Sequence, residues 1–165
     1  MRMARSDRYP EKERTWDDNW NNVIRNVLYP DKKLKELMLV PEGTDIMRFI
    51  DKYFIRDGST DELLTNEKVR IVWHNEPMSR GLGSRYIHGN FKIFDIYVSE
   101  DVEHNATVDR LKSRQILIAQ RIKYLLLRQY NCQNLHFDYE DEYDNWTKTV
   151  GYKLYKLTFF YITTI

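Results

Sequence analysis

The stretch VDRLKSRQILIAQRIKYLLLRQY, Val108 to Tyr130, decides how this chain folds. At about 100° per residue, Leu111, Ile118, Ala119, Ile122, Leu125 and Leu126 gather on one broad arc, which is the signature of a long amphipathic helix lying on a sheet. Ile116 and Leu127 point nearly the opposite way, so either the N-terminal helices or a second subunit must cover them. Arg110, Arg114, Arg121 and Arg128 follow one another at spacings of four, seven and seven. On the wheel they lie within roughly 40° of one another, a basic stripe bordered by Leu117 and Tyr124. Two readings of the stripe stand: a solvated face that contributes little, or guanidinium forks that pair with carboxylates across a subunit boundary.

Strands are expected on both sides of this helix. Upstream, Val69 to His74 (VRIVWH) is β-branched and aromatic, and Asn90 to Ser99 (NFKIFDIYVS) is apolar on both faces, as a central strand would be. Between them Asn75 to Gly89 holds three glycines, a proline, Arg80 and Arg85, which reads as a flexible loop or an extended hairpin tip. Glu100 to Thr107 is an acidic linker. Downstream, Asn134 to Asp141 and Thr149 to Thr163 read as a hairpin joined around Asp144-Asn145-Trp146. The acidic run Asp138, Glu140, Asp141, Glu142 and Asp144 then falls at a charged tip, either solvated or available to a neighbouring copy.

The N-terminal third is helical. Thr15 with Asp18 resembles a capping box, and Trp16, Trp20, Val23, Ile24, Val27 and Leu28 recur at helical spacing until Pro30. A short helix is expected over Asp31 to Leu39, ended by Pro41-Glu42-Gly43, and a third from a Thr44 cap with Ile46, Phe49, Ile50 and Tyr53 on one face. Arg56-Asp57-Gly58-Ser59 is turn chemistry. Met1 to Arg14 is charged and nearly free of apolar residues, a flexible arm. The sum is a flexible arm (1–14) and a single α+β domain (15–165), with a helical part (15–66) and a core (69–165). That core is a mixed, mainly antiparallel sheet of about four strands packed by one long helix.

Composition narrows the function. Twenty-six Lys+Arg against 25 Asp+Glu leave a formal charge of +1, which argues against a dedicated nucleic-acid binder. The charges are segregated along the chain, which favours contacts between copies or partners. Aromatic residues reach 14%, with twelve tyrosines, suiting both strands and interfaces. Cys132 stands alone, so no internal disulfide or cysteine-rich zinc site is expected. No signal peptide and no apolar run of spanning length are read from the sequence, so a soluble protein is expected.

No local motif specifies a chemistry. His74-Asn75-Glu76 has an H-x-E form, but the P-C-x-x-C of zinc deaminases is missing. Gly81-Leu82-Gly83 lacks the rest of a phosphate cradle, and the acidic run lacks the glycine and spacing of an EF-hand. No catalytic residue, metal ligand or cofactor is expected. Two rival readings remain: a small metal-dependent nuclease using Asp95 and the acidic run, and an adaptor binding one protein through a Tyr- and Trp-rich surface.

The order of strand Lys92 to Val98, acidic linker, Asp109-Arg110, long helix with Ile118-Ala119, Ile122 and Leu125-Leu126, then terminal hairpin resembles the small neck proteins of tailed bacteriophages. These are the tail terminators, tail-completion and head-to-tail connector proteins. The resemblance spans Val69 to Ile165 and is a pattern of elements. It implies a structural virion protein, made in the host cytoplasm, that forms a homo-oligomeric ring in the neck between portal and tail. It also implies neighbouring neck, portal or tail proteins as partners, DNA only as a passenger through the channel, and no membrane. In that setting Arg110, Arg114, Arg121 and Arg128 are the expected subunit contacts, with Asp138, Glu140, Asp141, Glu142 and Asp144 as their counterpart. Arg80, Arg85 and the arm are expected to reach other partners.

Overall fold

The central strand of the sheet is the run that is apolar on both faces, because a strand flanked on each side needs no polar edge. The computed structural model describes residues 16–56, 67–77, 87–105, 112–127, 136–144 and 151–164. Its sheet contains β1 (Phe54–Arg56), β2 (Val69–Pro77), β3 (Ile87–Ser99), β4 (His136–Asp144) and β5 (Tyr152–Thr164), in the spatial order β1-β2-β3-β5-β4. β1 runs parallel to β2 and every other pairing is antiparallel, so the fold is α+β with a mixed, mainly antiparallel sheet. The expected four strands are joined by a fifth, β1, in a segment that reads as the end of a helix and a turn. Three residues are too few to show a period of two, and Phe54 and Ile55 are both buried.

Both inner strands extend further than the sequence suggests. β2 continues through Asn75, Glu76 and Pro77, and β3 begins at Ile87, with Pro77 opposite Asn90. The expected loop over Asn75 to Gly89 is therefore an extension of the hairpin at both ends, and 78–86 lie outside the described residues. β4 covers the whole acidic run: Asp138 to Asp144 pair with Phe160 to Leu154 of β5. The hairpin tip expected there is strand instead, since cross-strand pairing overrides the weak β-propensity of Asp and Glu.

Helices cover one face of this sheet. α1 (Trp16–Val23) passes directly into a π-helical turn, Ile24–Leu28, closed by the Tyr29 amide donating to the Ile24 carbonyl at 2.8 Å. Trp20, Val23, Ile24 and Leu28 form its buried stripe. α2 (Lys32–Leu37) is capped by Asp31, whose carboxylate accepts from the Leu34 amide at 2.7 Å. It ends with Leu39 at φ 56°, where the Val40 amide reaches back to the Lys35 carbonyl in a Schellman closure. Pro41-Glu42-Gly43 is the expected turn, with Gly43 at φ 80°. The cap of α3 (Ile46–Lys52) is Asp45, accepting from the Arg48 amide at 2.8 Å; Thr44 instead donates its hydroxyl to the Pro41 carbonyl.

The long helix α4 spans Arg114–Leu127, and its start differs from the expected Val108. Lys112 and Ser113 are not helical, and the first turn is closed from outside: the Arg114 amide donates to the Glu103 carbonyl at 2.8 Å. Ile118, Ala119, Ile122 and Leu126 are buried against β3 and β5, as the apolar arc predicts. The core is strongly aromatic. Phe94 sits between Trp20 and Phe159, edge-on to both, and Phe49 stacks on Phe54 with centroids 5.9 Å apart. Burying rings at such geometry adds about 0.5–1.5 kcal/mol per pair beyond area alone.

Candidate assembly surface

The arginine stripe divides once it is folded. Arg114 is only 5% exposed, and its fork is filled from within the chain. Nε donates to the Val102 carbonyl at 2.9 Å, Nη1 to the Leu37 carbonyl at 2.7 Å and Nη2 to Asn105 Oδ1 at 2.7 Å. Burial pushes its pKa below the usual arginine value, and the nearby Glu103 carboxylate opposes that shift. Glu103 is itself buried, and its carboxylate accepts a hydrogen bond from the Ser113 hydroxyl.

Arg121 is likewise engaged in its own chain. Nε and Nη2 donate to the two carboxylate oxygens of Asp31 at 3.0 and 2.6 Å, a bidentate pair. Burial alone would raise the Asp31 pKa, but the Arg121 fork and the Leu34 amide together hold it below the ordinary carboxylate value. Asp31 in turn raises Arg121. The guanidinium also lies 4.8 Å from the centroid of Tyr124.

Asp31 precedes α2 and meets the middle of α4, whereas the Leu37 carbonyl at the far end of α2 meets Arg114 at the start of α4. The two helices therefore run antiparallel, stitched at both ends by the stripe. In place of the neighbouring subunit expected for them, Arg114 and Arg121 engage a carbonyl of α2 and the carboxylate that caps it, within their own chain. Arg110, Arg128, Arg80, Arg85 and the arm Met1 to Arg14 lie outside the described residues.

What α4 does leave open is its outer side. Ile116 is 41% exposed and Tyr124 45% exposed, so the N-terminal helices do not cover them. Lys112 lies exposed just before α4, and Lys32 and Lys33 are exposed on α2 beside it. The sequence of α4, RQILIAQRIKYLLL, contains no carboxylate.

Carboxylates collect instead on β4. Among the described residues it is an edge strand, paired on one side only. Asp138, Glu140, Asp141, Glu142 and Asp144 fall in its nine residues, and the paired stretch of β5 offers a single cation, Lys156, opposite Glu142. Along the register, Asp138 is opposite Phe160, Glu140 opposite Thr158, Asp141 opposite Leu157 and Asp144 opposite Leu154.

Two polar clusters escape a reading of the sequence. Lys92 is fully buried, with Nζ 4.5 Å from the ring of Trp20 and 4.0 Å from that of Trp73, a cation held between two indoles. Its only sequence signal is a lysine at a core-facing position of an apolar strand. The second cluster joins Tyr53, Glu67, Arg70 and Tyr152. The Tyr152 hydroxyl donates to the Glu67 carbonyl at 2.7 Å, and burial raises the Tyr53 phenol with Glu67 reinforcing the shift. Burial lowers the Arg70 pKa, opposed first by Glu67. Asp95, the acid that a nuclease would need, faces His74 at 3.3 Å across β2 and β3. Among the described residues no three His, Cys, Asp or Glu side chains converge as a metal site would require, and no helix is long and apolar enough to cross a membrane. No protein-family pattern, curated protein or solved structure matches this chain.

Proposed function

We propose that this chain is a non-enzymatic structural protein that assembles with copies of itself, as a ring in the neck of a tailed-phage virion between portal and tail. The observation that carries self-assembly is the placement of two complementary surfaces where one copy cannot join them. The outer face of α4 points away from the sheet, while β4 lies at the sheet's own edge, and a helix about 10 Å thick separates the two levels. Each surface therefore meets its complement only on another molecule. Pairing one surface with a different surface of the next copy is a head-to-tail contact, which closes into a ring when its rotation allows.

The neck assignment is supported by the strand, long helix and hairpin order that resembles neck proteins, and by an α+β core in which one helix lies across the central strands. A net charge of +1 suits a channel that DNA passes through without being held. Light scattering coupled to size exclusion, with negative-stain microscopy of the purified protein at high concentration, tests the proposal. Closed rings are expected. A monomer at every concentration, with or without portal protein, would refute it.

A further inference from the structure

We infer that the subunit contact is made by the outer face of the α2–α4 helix pair on one copy and the acidic edge strand β4 on the next. This deepens the self-assembly reading and rests on it. The occupant of the helical face follows from charge and chemistry together. Lys33 and Lys112 are exposed at opposite ends of the antiparallel pair, with Ile116 exposed between them and Tyr124 beyond the Lys33 end; α4 brings no carboxylate of its own, and α2 brings one exposed carboxylate, Glu36, against Lys32 and Lys33. A matching surface must be acidic, elongated and partly apolar.

β4 has that composition. Asp138, Glu140, Glu142 and Asp144 fall at alternate positions and so on one face of the strand, opposite Phe160, Thr158, Lys156 and Leu154 of β5, and no strand lies beyond β4 among the described residues. A second copy of β4 is disfavoured as its partner, since like charges directly opposite one another in a strand pair are destabilising. The same carboxylates that disfavour the pairing of two such edges are the charge complement of a basic helical face. The arginines are not needed for this contact. Arg114 and Arg121 hold the two helices in the arrangement that displays the lysines.

Charge exchange tests the pairing. Lys33→Glu with Lys112→Glu, and separately Glu140→Lys with Glu142→Lys, should each weaken association at least tenfold by light scattering, with far-UV circular dichroism and melting temperature unchanged. Combining all four substitutions in one chain should restore association. In a Cys132→Ser background, mixing Ile116→Cys and Glu140→Cys chains under copper–phenanthroline oxidation should give a covalent dimer containing one of each.

If the wild type assembles while both charge-exchanged variants assemble equally well, or the combined variant fails to recover, this contact is wrong and self-assembly stands. A wild type that stays monomeric removes the self-assembly reading and the contact with it.

Discussion

Asp31 joins two elements with one carboxylate: it caps α2 through the Leu34 amide and receives the Arg121 fork from the middle of α4. Cap and ion pair share Oδ1, and Oδ2 serves the Arg121 fork alone, so removing the carboxylate loses both interactions at once. Asp31→Ala is expected to cost about 2–3 kcal/mol, roughly a cap plus a partly buried charged pair. Asp31→Asn, which keeps an acceptor for the Leu34 amide, should cost about half as much. Urea denaturation of the two variants measures the difference.

The same residue sets an acid limit. Its pKa is lower folded than unfolded, so the folded state binds fewer protons between the two values and the contribution is complete above the unfolded value near about 3.9. Stability should fall as pH drops below about 4 and continue to fall through the lower folded value. Urea midpoints recorded down to about pH 2.5 should show a steeper acid limb for the wild type than for Asp31→Asn.

Arg114 tolerates no conservative replacement. Three acceptors from two separate segments, the end of α2 and the turn Val102 to Asn105, converge on one planar fork, which an ammonium cannot reproduce. Arg114→Lys and Arg114→Met should each destabilise by about 3–5 kcal/mol, leaving Leu37, Val102 and Asn105 without their donor. Amide exchange at α2 should rise before exchange in β3, because the α2–α4 stitch opens first.

Leu39 offers a gain. It occupies the left-handed region at the end of α2, a conformation that costs a residue with a Cβ about 1–2 kcal/mol. Leu39→Gly relieves this at an exposed site, and after the greater entropy of an unfolded glycine the net should be about 1 kcal/mol or a rise of about 2–4 °C in Tm. Differential scanning calorimetry decides the sign.

Lys92 can be read optically. Its ammonium touches both Trp20 and Trp73, so Lys92→Ala should shift the tryptophan emission of the folded protein. The substitution should also cost about 3 kcal/mol through the cavity and the lost cation–aromatic contacts. An unchanged emission spectrum would contradict the indole sandwich.

How much of this was readable from residues depends on the range of the interactions involved. The α+β class and the buried arc of α4 follow from periodicity, and the central place of Asn90 to Ser99 from its being apolar on both faces. The third strand pairing partner, Phe54–Arg56, is invisible because its only signal is its neighbour β2. The fate of Arg114 and Arg121 was also out of reach: helical spacing shows that they share a face, but the acceptors Leu37, Val102 and Asp31 lie far off in sequence and are delivered by the fold. Asp45 displaced Thr44 as a cap by one position, a choice settled by local hydrogen bonding that composition does not rank. The terminal hairpin is legible, and of the acidic run Glu142 to Asp144 alone pass from the expected turn into β4, since strand pairing with β5 outweighs local preference.

The strand order has a consequence for how the molecule comes together. β4 precedes β5 in sequence and touches the sheet only through it, so the two form a local hairpin whose attachment to the rest of the sheet rests on β5 meeting β3. β3 and β5 are brought together across the whole of α4, a long loop to close, which places this pairing among the slow events of folding. Until then β3 has one side without a strand partner. The interval before that pairing closes is when the chain is most open to pairing with another molecule, and a mutation that slows it is expected to show first as aggregation during refolding.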